Sequence, residues 1–237
     1  MSEVQPFRFK QFSIEQDKCT MKVGTDGILL GAWADTKDVR IALDIGTGTG
    51  LIAIMLAQRT TDAEIHAVEI DPVAHDQAAT NMANSPWADR LRAILSSIQD
   101  YAKSTPLRYD LIVSNPPFFT GGTFSANQDK NSVRHTVKLP HGDLLTAVRT
   151  LLSPRGKFCA ILPNIEGLRL VELSNTYGLF CTKMTTVKSL PHKPVERRLL
   201  QFERKEKETL NDELILHEKE TTDRSAAFQK LTGAFYI

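Results

Sequence analysis

The stretch IALDIGTGTG, residues 41–50, decides the fold class. Residues 41–45 form a short apolar run that predicts a buried strand, and apolar residues recur at helical spacing over 51–58. Between the two lie glycines at positions 46, 48 and 50. Glycine permits a tight turn and close approach of a ligand, and the start of the following helix supplies amide donors. The stretch therefore predicts a strand, a ligand-binding loop and a helix.

Outward from this stretch, short apolar runs alternate with helical segments. Further strands are predicted at 65–70, 91–98, 109–114 and 157–162, and helices at 72–84, 142–152 and 166–175. This alternation is typical of a parallel sheet. Segments 181–190 and 197–204 predict two strands joined by a short loop, which requires an antiparallel pair. We expect an α/β, Rossmann-like fold with a seven-stranded, mostly parallel sheet, one antiparallel strand and helices on both faces.

Composition excludes several classes of protein. The 237 residues are 41% hydrophobic and 24% charged, which excludes a disordered chain, and the net charge of +1 gives no global attraction to nucleic acid. The three cysteines are isolated and the histidines show no ligand spacing, so we expect neither a disulfide framework nor a metal site. The polar N-terminus, and the absence of any apolar run near about 18 residues, predict a cytoplasmic protein without signal peptide or membrane span.

The spacing of the glycines excludes two common nucleotide-binding loops. A dinucleotide fingerprint needs glycine at position 51, where Leu51 stands, and no P-loop pattern is present. The spacing D-x-G-x-G-x-G instead resembles motif I of the S-adenosylmethionine-dependent methyltransferases. That resemblance implies that the loop wraps the methionine part of S-adenosyl-L-methionine and that Asp44 orients its ammonium group. Glu69, near the end of the next strand, can accept hydrogen bonds from both ribose hydroxyls. The predicted cofactor residues of this region are Asp44, Gly46, Thr47, Gly48, Gly50, Glu69 and Ile70.

A second motif, Asn115-Pro-Pro-Phe118, follows the predicted strand 109–114. It resembles the (D/N/S)-P-P-(Y/F) motif of methyltransferases that act on amino groups. The Asn115 side-chain oxygen and the Pro116 carbonyl can each accept one amino hydrogen, which aims the nitrogen lone pair at the methyl group. Pro117 stiffens the turn, and Phe118 offers a face on which a base can stack. We therefore predict that Asn115, Pro116, Pro117 and Phe118 are catalytic, with Asn115 also touching the cofactor.

The run KVGTDGILLGAW, residues 22–33, narrows the resemblance further. Together with the Asn115 motif, Arg134-His135 and Arg197-Arg198, it closely resembles the bacterial tRNA1(Val) (adenine-N6) methyltransferase family, over about residues 7–205. Members of that family modify the adenosine immediately 3′ of the anticodon, adenosine-37. The resemblance places Thr25 and Asp26 over the methionine end of the cofactor as a lid. Where related enzymes often carry an aspartate for the cofactor adenine, the nearest residues here are Ser96 and Ser97, and Ser97 is predicted to contact the adenine.

Basic patches predict where RNA binds. From residue 177 to residue 210, eight Lys or Arg stand against four Glu, and the 121–139 segment is also rich in basic residues. Such patches bind phosphate without reading sequence. The predicted RNA-binding residues are Lys130, Arg134, His135, Lys193, Arg197 and Arg198.

The chain is expected to have three segments, and its function has alternatives. We expect an N-terminal segment with the lid motif at 1–38, the methyltransferase domain at 39–205, and a charged C-terminal tail with a short helix at 206–237. Guanine-N2 rRNA methyltransferases and protein glutamine-N5 methyltransferases use similar motifs, so both remain alternative enzymes. A cofactor-dependent RNA-binding protein without turnover is the alternative from another class. The oligomeric state stays open.

Overall fold

The structure, a computed structural model, describes residues 5–19, 22–117, 139–220 and 223–236. The strands are, in chain order, β1 (Phe7–Arg8), β2 (Ser13–Ile14), β3 (Ile41–Ile45), β4 (Glu64–Glu69), β5 (Leu91–Leu95), β6 (Tyr109–Ser114), β7 (Leu152–Pro163), β8 (Phe180–Lys188), β9 (Arg197–Glu203) and β10 (Leu210–Ile215). The helices are α1 (Thr25–Trp33), α2 (Leu51–Arg59), α3 (Pro72–Ala83), α4 (Ile98–Ser104), α5 (His141–Leu151), α6 (Asn164–Ser174) and α7 (Ala226–Thr232).

The central sheet has eight strands in the order β10-β8-β9-β7-β6-β3-β4-β5. β9 is antiparallel to both of its neighbours, and every other pairing in this sheet is parallel. The predicted α/β class and the single antiparallel strand are therefore confirmed. A separate antiparallel pair joins β1 to β2.

Helices cover both faces because the buried strands are apolar on both sides. Ala42 of β3 packs into one core with α1, α2, α3 and α7, while its neighbour Leu43 packs into the other core with α4, α5 and α6. This alternation follows from the two-residue repeat of a strand. The sheet thus separates two hydrophobic layers, and Asp44 comes next in the same buried strand.

The prediction of seven strands was wrong by one. The additional strand is β10, which pairs in parallel with β8 from Leu210↔Lys183 to Ile215↔Lys188. Four of its six residues are exposed and three of the six, in the sequence LNDELI, are polar, so it carries little of the apolar signal of a buried strand. An edge strand needs only one paired neighbour and can remain polar. The predicted short C-terminal helix is confirmed as α7, whereas the domain boundaries at 38/39 and 205/206 stay a prediction.

The two ends of the chain meet on one face of the sheet. Lys10 N donates to Phe235 O at 2.9 Å, and Phe9 stacks on Phe12 beside Tyr236. None of the helices in the described residues is long and apolar enough to cross a membrane.

Candidate active site

Three strands end at the same level and bring the two sequence motifs together. Ile45 of β3 is in register with Val68 of β4 and with Ser114 of β6. The next residue along each strand is therefore Gly46, Glu69 or Asn115, all at the carboxyl edge of the sheet. The Ser114 hydroxyl donates to Ile45 O at 2.9 Å and links the two central strands at this point. Ligands bind at this edge in open α/β sheets.

The glycine loop adopts backbone angles that other residues avoid. Gly46, Gly48 and Gly50 have φ values of 69°, 58° and 83°, in the left-handed region that favours glycine. A Cβ atom built on Gly46 or Gly48 meets no atom of the described residues within 4 Å. The loop is anchored by the amides of Gly46 and Thr47, which donate to Val68 O at 2.9 and 3.2 Å. The loop therefore presents a bare backbone surface to a ligand.

Glu69 holds the glycine loop against the neighbouring turn. Its Oε2 accepts from Gly48 N at 2.9 Å, while Oε1 accepts from Ile70 N at 2.9 Å and Asp71 N at 3.1 Å. Only 9% of the residue is exposed. An ionised carboxylate has about four acceptor positions, and three are occupied by backbone amides. A contact with both ribose hydroxyls would therefore require Glu69 to share or release the hydrogen bond from at least one of these backbone amides.

Asp44 is the second carboxylate of the site and is fully buried. Its Oδ2 accepts from Thr47 Oγ1 at 2.6 Å, but Oδ1 has no hydrogen-bond partner in the part of the chain that the structure describes. Burial, followed by the negative charge of Glu69, raises the pKa of Asp44 to about 7. A buried acceptor without a donor is costly, and a cationic N–H donor would satisfy it. The residues present thus fit the ammonium group of S-adenosylmethionine.

The Asn115 motif follows β6, which lies next to β3 in the sheet. Asn115 is partly buried, Pro116 is buried and Pro117 is exposed, in the irregular segment that follows β6. Phe118, Lys130, Arg134 and His135 lie outside the described residues. No three His, Cys, Asp or Glu side chains within the described ranges come together so as to hold a metal ion.

The remaining predicted residues occupy two places. Thr25 and Asp26 form the first turn of α1, with Gly24 as its N-cap. Arg197 begins β9 beside the end of β7, since it pairs with Pro163, and its Nε donates to Asp26 Oδ2 at 2.8 Å. A predicted RNA-binding residue of the protein thus contacts a predicted cofactor-binding residue.

Arg198 and Lys193 differ from Arg197 in their surroundings. Arg198 Nε donates to Asn164 Oδ1 at 2.8 Å, on the side of the sheet that packs against α6. Arg197 and Arg198 therefore do not form one continuous basic surface. Lys193 is exposed in the connection between β8 and β9, at the same edge as the glycine loop.

Comparison with known proteins adds independent evidence. The family described as "Methyltransferase small domain" matches residues 22–157, more than half of the chain. A tRNA1(Val) (adenine(37)-N6)-methyltransferase from Pectobacterium carotovorum is 42% identical over 98% of this chain and 93% of the relative. One from Histophilus somni is 41% identical over 100% of this chain and 99% of the relative. The chain belongs to the tRNA1(Val) (adenine(37)-N6)-methyltransferase family.

A solved structure agrees with this membership at the level of the fold. A predicted O-methyltransferase, Atu636 from Agrobacterium tumefaciens, superposes with a TM-score of 0.68 at 17% identity, over 89% of this chain and 96% of that chain. The fold expected for a class I methyltransferase is thereby confirmed. Membership of the tRNA1(Val) (adenine(37)-N6)-methyltransferase family makes this chain a methyltransferase with S-adenosylmethionine as its methyl donor.

Within this methyltransferase, two further predicted cofactor residues, Ile70 and Ser97, lie shortly after β4 and β5. Ile70 is 43% exposed, which leaves a large apolar side chain available next to Glu69. Ser97 caps α4: its Oγ accepts from Asp100 N at 3.0 Å and donates to Asp100 Oδ2 at 2.7 Å. Its predicted contact with the adenine stays a prediction. The sequence did not single out Leu95, which is 51% exposed and pairs with Glu69, although an apolar residue at a strand end was a usable signal.

Proposed function

We propose that this enzyme transfers a methyl group from S-adenosyl-L-methionine to N6 of adenosine-37 in tRNA1(Val). The observation that carries the proposal is the register of β3, β4 and β6. Because of this register, the glycine loop, Glu69 and Asn115 all begin at the same level, at the carboxyl edge of the sheet. Methyl transfer needs the donor pocket and the amino-binding turn side by side. The relatives are named tRNA1(Val) (adenine(37)-N6)-methyltransferases, which supports tRNA1(Val) as the substrate and adenosine-37 as the modified position.

The chain's own residues would hold the cofactor at its polar groups. Asp44 Oδ1 would accept from the ammonium group, and Glu69 would accept from the ribose hydroxyls. Ile70 provides apolar surface for the adenine. When bound, the cofactor supplies an electrophilic methyl group on a sulfonium.

Asn115 and Pro116 would prepare the nucleophile. The lone pair of an exocyclic adenine nitrogen is delocalised into the ring, so the nitrogen reacts poorly unless its hydrogens are bound. The Asn115 side-chain oxygen and the Pro116 carbonyl would each accept one of them and localise the lone pair. The turn is stiff because two prolines follow each other, so little reorganisation is needed during the reaction.

The RNA would approach along the carboxyl edge of the sheet. Lys193 and Arg197 lie at this edge and would contact phosphate groups, as would Lys130, Arg134 and His135. Phe118 would stack on the target base. We also propose a cytoplasmic location, which a tRNA substrate supports.

The test is transfer of labelled methyl from S-adenosylmethionine to purified tRNA1(Val), followed by mass analysis of its nucleosides. We expect N6-methyladenosine at position 37, and none with a tRNA1(Val) transcript that carries guanosine there. Incorporation into guanine N2 would support the guanine-N2 alternative, and transfer to the glutamine amide of an added protein acceptor would support the glutamine-N5 alternative. Cofactor and tRNA binding without any incorporation would indicate a binding protein.

A further inference from the structure

Residues 13–19, called the strap here, lie along helix α3 beside the glycine loop. Ile14 is fully buried, and two side chains of α3 hold the strap backbone. These are Asn81 and Gln77, each only 2% exposed and one helical turn apart on the same face. Two buried carboxamides bound to backbone indicate a specific attachment, since apolar residues would pack there without the desolvation cost.

Asn81 uses its whole carboxamide. Its Oδ1 accepts from Glu15 N at 2.9 Å, and its Nδ2 donates to Glu15 O at 2.9 Å and to Thr49 O at 2.8 Å. The orientation of the amide is fixed by these partners, because a flipped group would face an N–H with its nitrogen and two carbonyls with its oxygen. One side chain therefore joins the strap, α3 and the glycine loop.

The bond to Thr49 complements the one made by Glu69. Glu69 holds Gly48 through its amide, and Asn81 holds the next residue, Thr49, through its carbonyl. The flanking glycines at 48 and 50 have positive φ and few steric restraints of their own. A loop of this kind keeps one conformation only if neighbouring groups hold it. The hydrogen bonds from Glu69 to Gly48 and from Asn81 to Thr49 supply this constraint at two consecutive residues.

Gln77 extends the attachment by one helical turn, to the end of the strap. Its Oε1 accepts from Lys18 N at 2.9 Å, and the next residue, Cys19, is buried. Burial raises the pKa of the Cys19 thiol to about 11, and the charges of Glu69 and Asp71 add to the effect. The end of the strap thus lies within electrostatic range of Glu69.

We propose that Asn81 is a positioning residue for cofactor binding, which holds the glycine loop through Thr49 and fixes the strap as a side wall of the cofactor site. The proposal rests on the function proposed above only in taking S-adenosylmethionine as the ligand of the loop. Asn81 acts through the loop and does not touch the transferred methyl group.

The test compares Asn81→Ala with Thr80→Ala, a control on the exposed side of the same helix, where the hydroxyl donates to Asp76 O. We expect Asn81→Ala to raise the Kd and KM for S-adenosylmethionine about tenfold or more, as for the loss of a buried hydrogen-bond partner. At saturating cofactor, kcat and the KM for tRNA should stay within about threefold of wild type. Asn81→Asp should be no better than Asn81→Ala, because its carboxylate would face two carbonyl oxygens.

Gln77→Ala tests the strap independently of the loop. Its alkylation readout is available even if Asn81→Ala does not fold. It releases Lys18 but keeps the bond to Thr49. We expect faster alkylation of Cys19, read by peptide mass, and a smaller loss of cofactor affinity than in Asn81→Ala; added S-adenosylmethionine should slow the alkylation in wild type.

Cofactor affinity in Asn81→Ala equal to that in Thr80→Ala, or a loss confined to kcat, would overturn the proposal. The proposal would also be overturned if the alkylation rate of Cys19 were the same in wild type, in Gln77→Ala and in the presence of cofactor. If wild type binds S-adenosylmethionine but does not methylate tRNA1(Val), the proposed function fails while this inference is still decided by the binding data.

Discussion

Arg197 Nε donates a 2.8 Å hydrogen bond to Asp26 Oδ2 and so joins the start of β9 to the first turn of α1. The two residues are 171 positions apart in sequence. Asp26 belongs to the predicted lid over the cofactor, and Arg197 belongs to the predicted RNA surface. The pair therefore connects the predicted lid over the cofactor with the predicted RNA surface.

The first prediction follows from this pair. Arg197→Glu places a second carboxylate beside Asp26, and the repulsion should disturb the first turn of α1. We expect weaker binding of both tRNA and S-adenosylmethionine, measured by tRNA titration and by calorimetry. Lys193→Glu is the control: Lys193 is exposed, so it should weaken tRNA binding only and reduce the slope of log affinity against log salt by about 1. Unchanged cofactor affinity in Arg197→Glu would show that the pair does not support the lid.

The second prediction concerns Glu69. Glu69→Ala removes the acceptor of Gly48 N, Ile70 N and Asp71 N as well as the predicted ribose contact. We expect cofactor affinity to fall by about 1–3 kcal/mol, the range for leaving buried partners unsatisfied, with a lower Tm. Asp71→Ala is the matched control in the same turn. It removes the N-cap of α3, where Asp71 Oδ1 accepts from Val73 N and Ala74 N, and should lower Tm without a comparable loss of affinity. Equal cofactor affinities in the two variants would remove Glu69 from the binding site.

The third prediction is a pH dependence set by Asp44. Burial raises the pKa of this carboxyl to about 7, so below that pH the cofactor-free protein holds it protonated. An ammonium group binds the ionised form, and an α-amino group stays protonated below about pH 7.7. Cofactor affinity should therefore increase from pH 5.5 to about pH 7, with release of a proton on binding. Calorimetry in two buffers of different ionisation enthalpy measures that proton.

Asp44→Asn provides the control for this pH dependence. The variant should bind S-adenosylmethionine weakly and without the proton release. A raised carboxyl pKa means that stability is lost as pH rises from the unfolded value near 4 to the folded value near 7, because the unfolded chain ionises first. Above pH 7 the cofactor-free variant should accordingly have a higher Tm than wild type. The same Tm difference at pH 4 and at pH 8 would contradict the shifted pKa.

The fourth prediction concerns Asn115. Asn115→Ala should lower kcat by on the order of 10²–10³, the usual cost of deleting one preorganised polar group at a reacting centre. Single-turnover methyl transfer at saturating tRNA measures this. Cofactor affinity by calorimetry should fall far less than kcat, which separates the effect from misfolding. Asn115→Asp should be milder, because a carboxylate also accepts the amino hydrogen. A wild-type rate in Asn115→Ala would place the amino-binding group elsewhere.

Local sequence determined the elements that carry the site. The stretch 41–50 predicted strand, loop and helix because strand burial, glycine conformation and helix spacing all act within a few residues. Asp71 caps α3 through contacts within the same turn, and the short loop before Arg197 required the antiparallel pair β8–β9. These features needed no knowledge of distant residues.

Tertiary structure alone decided which distant groups meet. The edge strand β10 was missed because its stability comes from pairing with β8 and hardly from its own apolar residues. The bond between Arg197 and Asp26, and the three bonds of Asn81, join segments that are far apart in the chain. No periodicity encodes such contacts: a side chain finds these partners only after the sheet order and helix packing have placed the segments side by side.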